Sequence, residues 1–334
     1  MNYRQSHGFS LIEVLVAITI LAIAASASSG LINQIAGFYK IERDLENDTE
    51  LRAIADAHVK YASVHNSGAI LSAFTEGDCY SCAIDTTNAA LVNYVESRTQ
   101  RTAKLSNYDS SSVKNVRGLM LDATTYQASL NLPSAINLIL EYRAAVVVQT
   151  NCPKSSTCDT DESWKTPAYT QTGWVPNSTI EKAVPFNNLE ILQGLASSSV
   201  ERVILVQQKI REYKHELVLA NNADVNINFL PVSTHPSTPD YTGSDPTVNG
   251  GCINGWYDLG SANVNVLSIV GLEASYGLTL FGGSIEYCAD FDLTAVDAST
   301  ADTAPHVGAL RINRFISRGA SPDVSNNNNI LFPI

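Results

Sequence analysis

From Gly8 to Ile32 the chain reads GFSLIEVLVAITILAIAASASSGLI, and beyond Gly8 the only ionisable side chain in that stretch is Glu13. As a helix, Phe9 to Ile32 would be roughly 36 Å long, enough to cross a hydrocarbon core. An acidic side chain inside a spanning helix costs on the order of 3 kcal/mol, so Glu13 is expected to face a partner or a polar interior. It sits about one turn into the segment, where the positive end of the helix also favours a carboxylate. Residues 1–8, MNYRQSHG, are polar and have no apolar run of their own. A secretory signal has its small-residue cleavage site after the apolar stretch, whereas here the small residue, Gly8, precedes it.

The run Gly8-Phe9-Ser10-Leu11-Ile12-Glu13-Val14 resembles the amino terminus of the type IV prepilin family, the pilins and pseudopilins of bacterial pili and type II secretion systems. The resemblance covers the first 50 to 60 residues. It implies that prepilin peptidase cuts after Gly8 and methylates the new amino terminus at Phe9, and that Glu13 meets the amino terminus of a neighbouring subunit during assembly. It also implies a single-pass protein of the bacterial inner membrane with its head outside the cytoplasm. The partners implied are other pilin or pseudopilin subunits, the peptidase and the assembly machinery of the membrane. Many pilins carry a helix-weakening proline farther along the anchor; Gly30 stands there in this chain, at a cost of about 1 kcal/mol against alanine.

Past the anchor, Ile35, Phe38, Ile41 and Leu45, then Leu51, Ile54, His58 and Tyr61 recur every three or four residues, the mark of an amphipathic helix. The intervening charges, among them Lys40, Glu42, Arg43, Asp44, Arg52 and Asp56, would face water or neighbouring subunits. Asn66-Ser67-Gly68 is the expected stop. From Phe9 to Tyr61 this predicts one helix of roughly 80 Å, with His58 a satisfied core histidine rather than a ligand. The expected organisation is a leader at 1–8, a transmembrane half-helix at 9–32 and an amphipathic spine at 33–64. A first head lobe at 65–230, a Pro/Gly-rich linker at 231–251 and a strand-rich lobe at 252–334 follow. The fold class is α+β, a long amino-terminal helix packed on an antiparallel, β-rich, pilin-like head.

Strands are expected over Leu138 to Thr150, Val200 to Gln207, Val264 to Gly271, Gly277 to Phe281, Ile285 to Phe291 and Val307 to Ser317. A helix is expected near Asn88 to Gln100, and Lys209 to Asn221 reads as either helix or strand. The tail after Ser325-Asn326-Asn327-Asn328-Asn329 is apolar and expected to tuck onto the head. Asn151 to Asn177 is a long loop with Trp164 and Trp174, and loops of that length are usually functional or mobile.

Lys and Arg total 21 against 33 Asp and Glu, a net charge of −12, which argues against nucleic-acid binding through general phosphate attraction. The runs Arg98, Arg101, Lys104, Lys114 and Arg311, Arg314, Arg318 are read as solvated faces. Six cysteines fall as Cys79/Cys82, Cys152/Cys158 and Cys252/Cys288. An even number in an exported head reads as disulfides, and of the many possible connectivities the sequential one is favoured. Closing the long segment from Cys252 to Cys288 would stabilise by roughly 3 to 4 kcal/mol, each short loop by roughly 2. The rival is a zinc site built from the first two pairs; only Cys79-x-x-Cys82 has good zinc spacing, and an oxidising compartment disfavours free thiols.

No G-x-S-x-G, H-E-x-x-H or P-loop is present, and nothing points to catalytic residues. No cofactor or metal is expected. Asp159-Thr160-Asp161-Glu162 and Asp290-Phe291-Asp292 offer oxygen ligands to calcium but lack EF-hand spacing, and a solvated loop is the favoured reading. Trp164, Tyr169, Trp174, Trp256 and Tyr257 would either form a binding surface or pack beneath loops. The resemblance and the large head together suggest a minor or tip subunit of a pilus or secretion pseudopilus. The alternative is a tip adhesin whose head loops, with Trp164 and Trp174, bind a surface, glycan or DNA.

Overall fold

The computed structural model describes residues 37–42, 45, 48–49, 51–64, 97, 116–121, 125–133, 136–150, 169–170, 173–174, 180–224, 226–235, 251–252, 255–292, 304–323 and 328–334. The expected anchor at 9–32, the loop at 151–168 and most of the 231–251 segment lie outside them. Among the described residues no helix is long and apolar enough to cross a membrane. The chain divides into two compact units, Met1–Ala53 and Ile54–Ile334.

In the first unit every described residue is helical. Phe38, Ile41 and Leu45, at spacings of three and four, are 72%, 59% and 64% exposed. An ion pair between Arg52 and Asp48, 2.8 Å apart at i and i+4, lies on the solvent side of this helix.

The second unit opens with helical residues 54–64 (α1). Ile54, Ala55, Ala57, His58, Tyr61 and Ala62 are buried, the 3.6-residue rhythm that the sequence predicts. His58 stacks on Phe186 at 6.2 Å between ring centroids. Its Nε2 has no hydrogen-bond partner among the described residues, so it is a core histidine but not a satisfied one. Burial pushes its pKa from 6.5 down to about 4. A folded pKa below the unfolded one means that the proton binds the unfolded chain more tightly, so stability falls as pH drops from 6.5 towards 4. Denaturant unfolding of the full-length protein should therefore show a His58-dependent loss of about 2–3 kcal/mol between pH 7 and 4.5. His58→Leu should remove that part of the pH dependence; an unchanged profile would contradict the assignment.

Strands β1 (Val116–Leu121), β4 (Ala144–Thr150) and β7 (Ile180–Asn187) form an antiparallel sheet in the order β1-β4-β7. Strands β2 (Tyr126–Leu132) and β3 (Ile136–Tyr142) form a separate hairpin, with Leu130 opposite Leu138 and Tyr126 opposite Tyr142. The short strands β5 (Tyr169–Thr170) and β6 (Gly173–Trp174) pair with each other. Only Arg143 separates β3 from β4, and its backbone N–H donates to Asn188 Oδ1 at 3.0 Å, which ties the crossing between sheets to the start of the next helix.

That helix, α2 (Leu189–Ala220), contains the stretch Val200 to Gln207 that the sequence predicts as a strand. The β-branched run favours a strand locally, but the apolar positions do not alternate. Leu192, Ala196, Ser199, Val200, Val203, Val206 and Ile210 are buried, and their three- and four-residue steps put them on one helical stripe, which tertiary packing rewards more than intrinsic propensity. Lys209 to Asn221 resolves as helix as far as Ala220.

The last sheet runs β11-β10-β9-β8, with β8 (Tyr257–Asp258), β9 (Glu286–Cys288), β10 (Ala309–Asn313) and β11 (Asn329–Pro333). The apolar tail thus does more than tuck in: it pairs along β10, Leu310 opposite Phe332 and Ile312 opposite Ile330. Two more of the predicted strands are absent. Val264 to Gly271 instead holds a one-turn helix, α3 (Val266–Ile269), and Gly277 to Phe281 follows a 3-10 turn at Ala274–Gly277. Backbone approaches closely where that turn ends: a Cβ on Gly277 would lie 2.2 Å from the Leu259 carbonyl.

The expected division into lobes at 231–251 is not a division between cores. One cluster joins Leu138 and Leu140 of β3, Leu192 to Ile210 of α2, Leu230, and Ile285, Tyr287, Leu310, Ile312 and Phe332 of the last sheet. The buried stripe of α2 needs cover on a scale that β3 alone does not give, and residues from both sides of the break supply it.

Candidate functional site

Period-two alternation gives the last sheet two distinct faces. Ile285, Tyr287, Leu310 and Ile312 point into the main core. Glu286 and Cys288 of β9, and Ala309 and Arg311 of β10, occupy the other face, where Arg311 lies directly opposite Glu286 and Ala309 opposite Cys288. That second face is covered by the segment around Cys252 and Trp256, which forms a small cluster with Cys288, Phe291 and Ala309.

Cys252 and Cys288 are joined, with Cα atoms 5.9 Å apart, and close a loop of sequence separation 36. A bridge pairs Cys252 with Phe291, and the Trp256 and Phe291 rings lie 5.8 Å apart. Beneath them, Arg311 places two nitrogens on one oxygen of Glu286, Nε at 2.7 Å and Nη2 at 2.6 Å. Its guanidinium carbon is 4.2 Å from the centroid of the Trp256 ring, within cation–π range. The side chains of Arg311 and Glu286 are only 5% and 16% exposed. Burial pushes the Glu286 pKa up, against the pull of Arg311, and Asp258 beside it pushes the same way. Burial lowers that of Arg311 despite the attraction of Glu286. Desolvation leads on both partners, so the pair fixes strand register and a cover segment more than it adds net stability.

Several sequence readings are corrected here. Arg311, Arg314 and Arg318 do not share a solvated face: Arg311 is buried, Arg314 Nε is buried without a hydrogen-bond partner, and Arg318 pairs with Glu141 of β3 at 2.5 Å. Asp290-Phe291-Asp292 is not a solvated loop, because Asp292 is buried, its N–H donates to Gly251 O at 2.8 Å, and Asp290 accepts from Asn228. Trp256 and Tyr257 pack inward, Tyr257 stacking on Tyr287 at 6.3 Å. Among the described residues no group of three or more His, Cys, Asp or Glu is placed to hold a metal ion.

Gly8, Phe9, Glu13, Cys79, Cys82, Cys152, Cys158 and Trp164 lie outside the described residues. For Trp174 the structure gives only its backbone pairing in β6 with Tyr169. The Arg311–Glu286 pair was missed in sequence because a lone arginine in Ala309-Leu310-Arg311-Ile312 reads as the solvent side of a half-buried strand. The faint signal was the tryptophan and cysteine pair needed to roof it.

A family model described as a prokaryotic N-terminal methylation motif matches residues 3–29. Over those residues the chain is type IV prepilin-like, and the motif is one that implies processing by prepilin peptidase and interaction with other pilin subunits. Neither the comparison with curated proteins nor that with solved structures gives a match.

Proposed function

We propose that this protein is a minor subunit of a type IV pilus or a type II secretion pseudopilus, inserted by residues 9–32, cut after Gly8, methylated at Phe9 and drawn into a filament through its amino-terminal helix. The observation that carries this reading is the methylation motif at 3–29 on a chain whose much larger second unit, Ile54–Ile334, has its own core. The bulk of that head favours a filament tip or low copy number over a repeating position. The exposed stripe of Phe38, Ile41 and Leu45 supports helix-to-helix packing with neighbouring subunits, since large apolar side chains at helical spacing gain by being covered. The role is assembly, not catalysis, and it uses no cofactor. An adhesive tip remains the second reading only through the loop at 151–177 with Trp164 and Trp174; Trp256 and Tyr257, which pack inward, no longer support it.

Quantitative mass spectrometry of sheared filaments tests the role. The mature chain is expected there at a small fraction of the bulk subunit, and Glu13→Ala is expected to insert normally yet be recovered at least about tenfold less, because it lacks the carboxylate that would meet a neighbour's amino terminus. Recovery of the variant at parental level, or parental chain in equal amount to the bulk subunit, would contradict the reading.

A further inference from the structure

The buried stripe of α2 ends at Ile210, and the next turns expose a face of a different kind. Arg211, Lys214, His215 and Val218 recur at i, i+3, i+4 and i+7, so they lie along one side of the helix. With Ile334 they line an open groove of about 350 Å³. In a chain of net charge −12, two fixed cations and a histidine converge on one concavity.

Both cationic heads are held in place. Arg211 Nη2 donates to Pro333 O at 2.7 Å, an acceptor it shares with Gln207 Nε2 at 2.6 Å, and Lys214 Nζ donates to His306 O at 2.7 Å. Each anchor is a neutral carbonyl and occupies one donor, where a guanidinium has five and an ammonium three. Among the described residues neither cation is paired with a carboxylate. The nearby acid Glu212, on the adjacent side of the helix, is taken by Lys209 at 2.6 Å. Burial, and after it the positive charge of Arg211, pull the Lys214 pKa down. Val218 and Ile334, both half-buried, bring apolar side chains to the groove, and among the described residues the α-carboxylate of Ile334 makes no ion pair with Arg211 or Lys214.

Two fixed positive charges with spare donors match the charge of about −1.5 to −2 and the acceptor oxygens of a phosphate monoester, and an apolar wall beside them suits a short carbon stem. The volume is at the lower end of small-molecule sites. We propose that this groove binds a phosphomonoester headgroup on an apolar stem, with Arg211 and Lys214 on the phosphate, His215 as a further donor, and Val218 and Ile334 against the stem.

The test is calorimetric titration of the full-length protein, in a nonionic detergent and a phosphate-free buffer, with monobutyl phosphate, inorganic phosphate and butyrate. Saturable one-to-one binding of monobutyl phosphate is expected, with inorganic phosphate and butyrate each weaker. Lys214→Gln and Arg211→Gln should each weaken it by about tenfold or more, as loss of a charge-assisted contact implies. Glu201→Gln, on the same helix but outside the groove, should bind like the parent. His215→Gln changes an exposed side chain and keeps the test valid if either anchored variant folds poorly; it should weaken binding by at least about threefold. Absence of saturable binding, equal affinity for inorganic phosphate, parental affinity in the groove variants, or an equal loss in Glu201→Gln would each overturn the proposal.

Discussion

Glu286→Ala is expected to destabilise the full-length protein by about 3–5 kcal/mol, because it removes the carboxylate that both Arg311 nitrogens contact on the covered face of the last sheet and leaves the attraction of Asp323 to hold a buried cation. Arg311 is 5% exposed, and the disulfide-held segment with Trp256 lies over it. Water cannot reach it without lifting that cover. The ring of Trp256 does not replace a carboxylate, since a cation–π contact is worth about 2 kcal/mol at best. The double change Glu286→Leu with Arg311→Met removes both charges and keeps most of the volume, and is expected to stay within about 1.5 kcal/mol of the parent. Denaturant unfolding of the three proteins under oxidising conditions decides the matter. A single variant as stable as the parent would mean that the guanidinium finds solvent, and a double variant as weak as the single one would mean that shape rather than charge governs the site.

The same sheet shows why the sequence was legible in part. Strand residues that share one buried face, such as Leu310 and Ile312, announce themselves, and so does the run Leu138 to Thr150. The spine helix was equally clear, since Ile54, His58 and Tyr61 keep step with a 3.6-residue turn. Val200 to Gln207 reads locally as a strand because of its β-branched cluster, and the partners that make it a helix, Leu138 and Leu140 on one side and Ile285 and Tyr287 on the other, lie far away in sequence. Long-range pairing also hid the Arg311–Glu286 contact and the continuity of the core across 231–251. Local turn geometry was the third blind spot. Gly319, with φ of 63°, would bring a Cβ within 2.3 Å of Phe281 O, a constraint that no nearby periodicity encodes.

The amino-terminal motif is legible for the opposite reason: it is one contiguous stretch of chain, residues 3–29, and under the proposed function a peptidase would read it locally. Replacing Gly8 by a bulky residue such as leucine is therefore expected to abolish processing almost completely while leaving membrane insertion intact, because the apolar run from Phe9 to Ile32 is untouched. The full-length precursor should accumulate in the membrane and be missing from sheared filaments. If Gly8→Leu still yields mature chain at the parental rate, glycine is not what the peptidase requires here.

Where the mature chain begins decides between a prepilin and a secretory signal, and amino-terminal mass analysis of the protein from a host with active prepilin peptidase measures that directly. A chain starting at Phe9 with a methylated amino group is the predicted result. A chain starting at Met1, or one cut after Ala25 or Ala27 as a secretory signal would be, would contradict it.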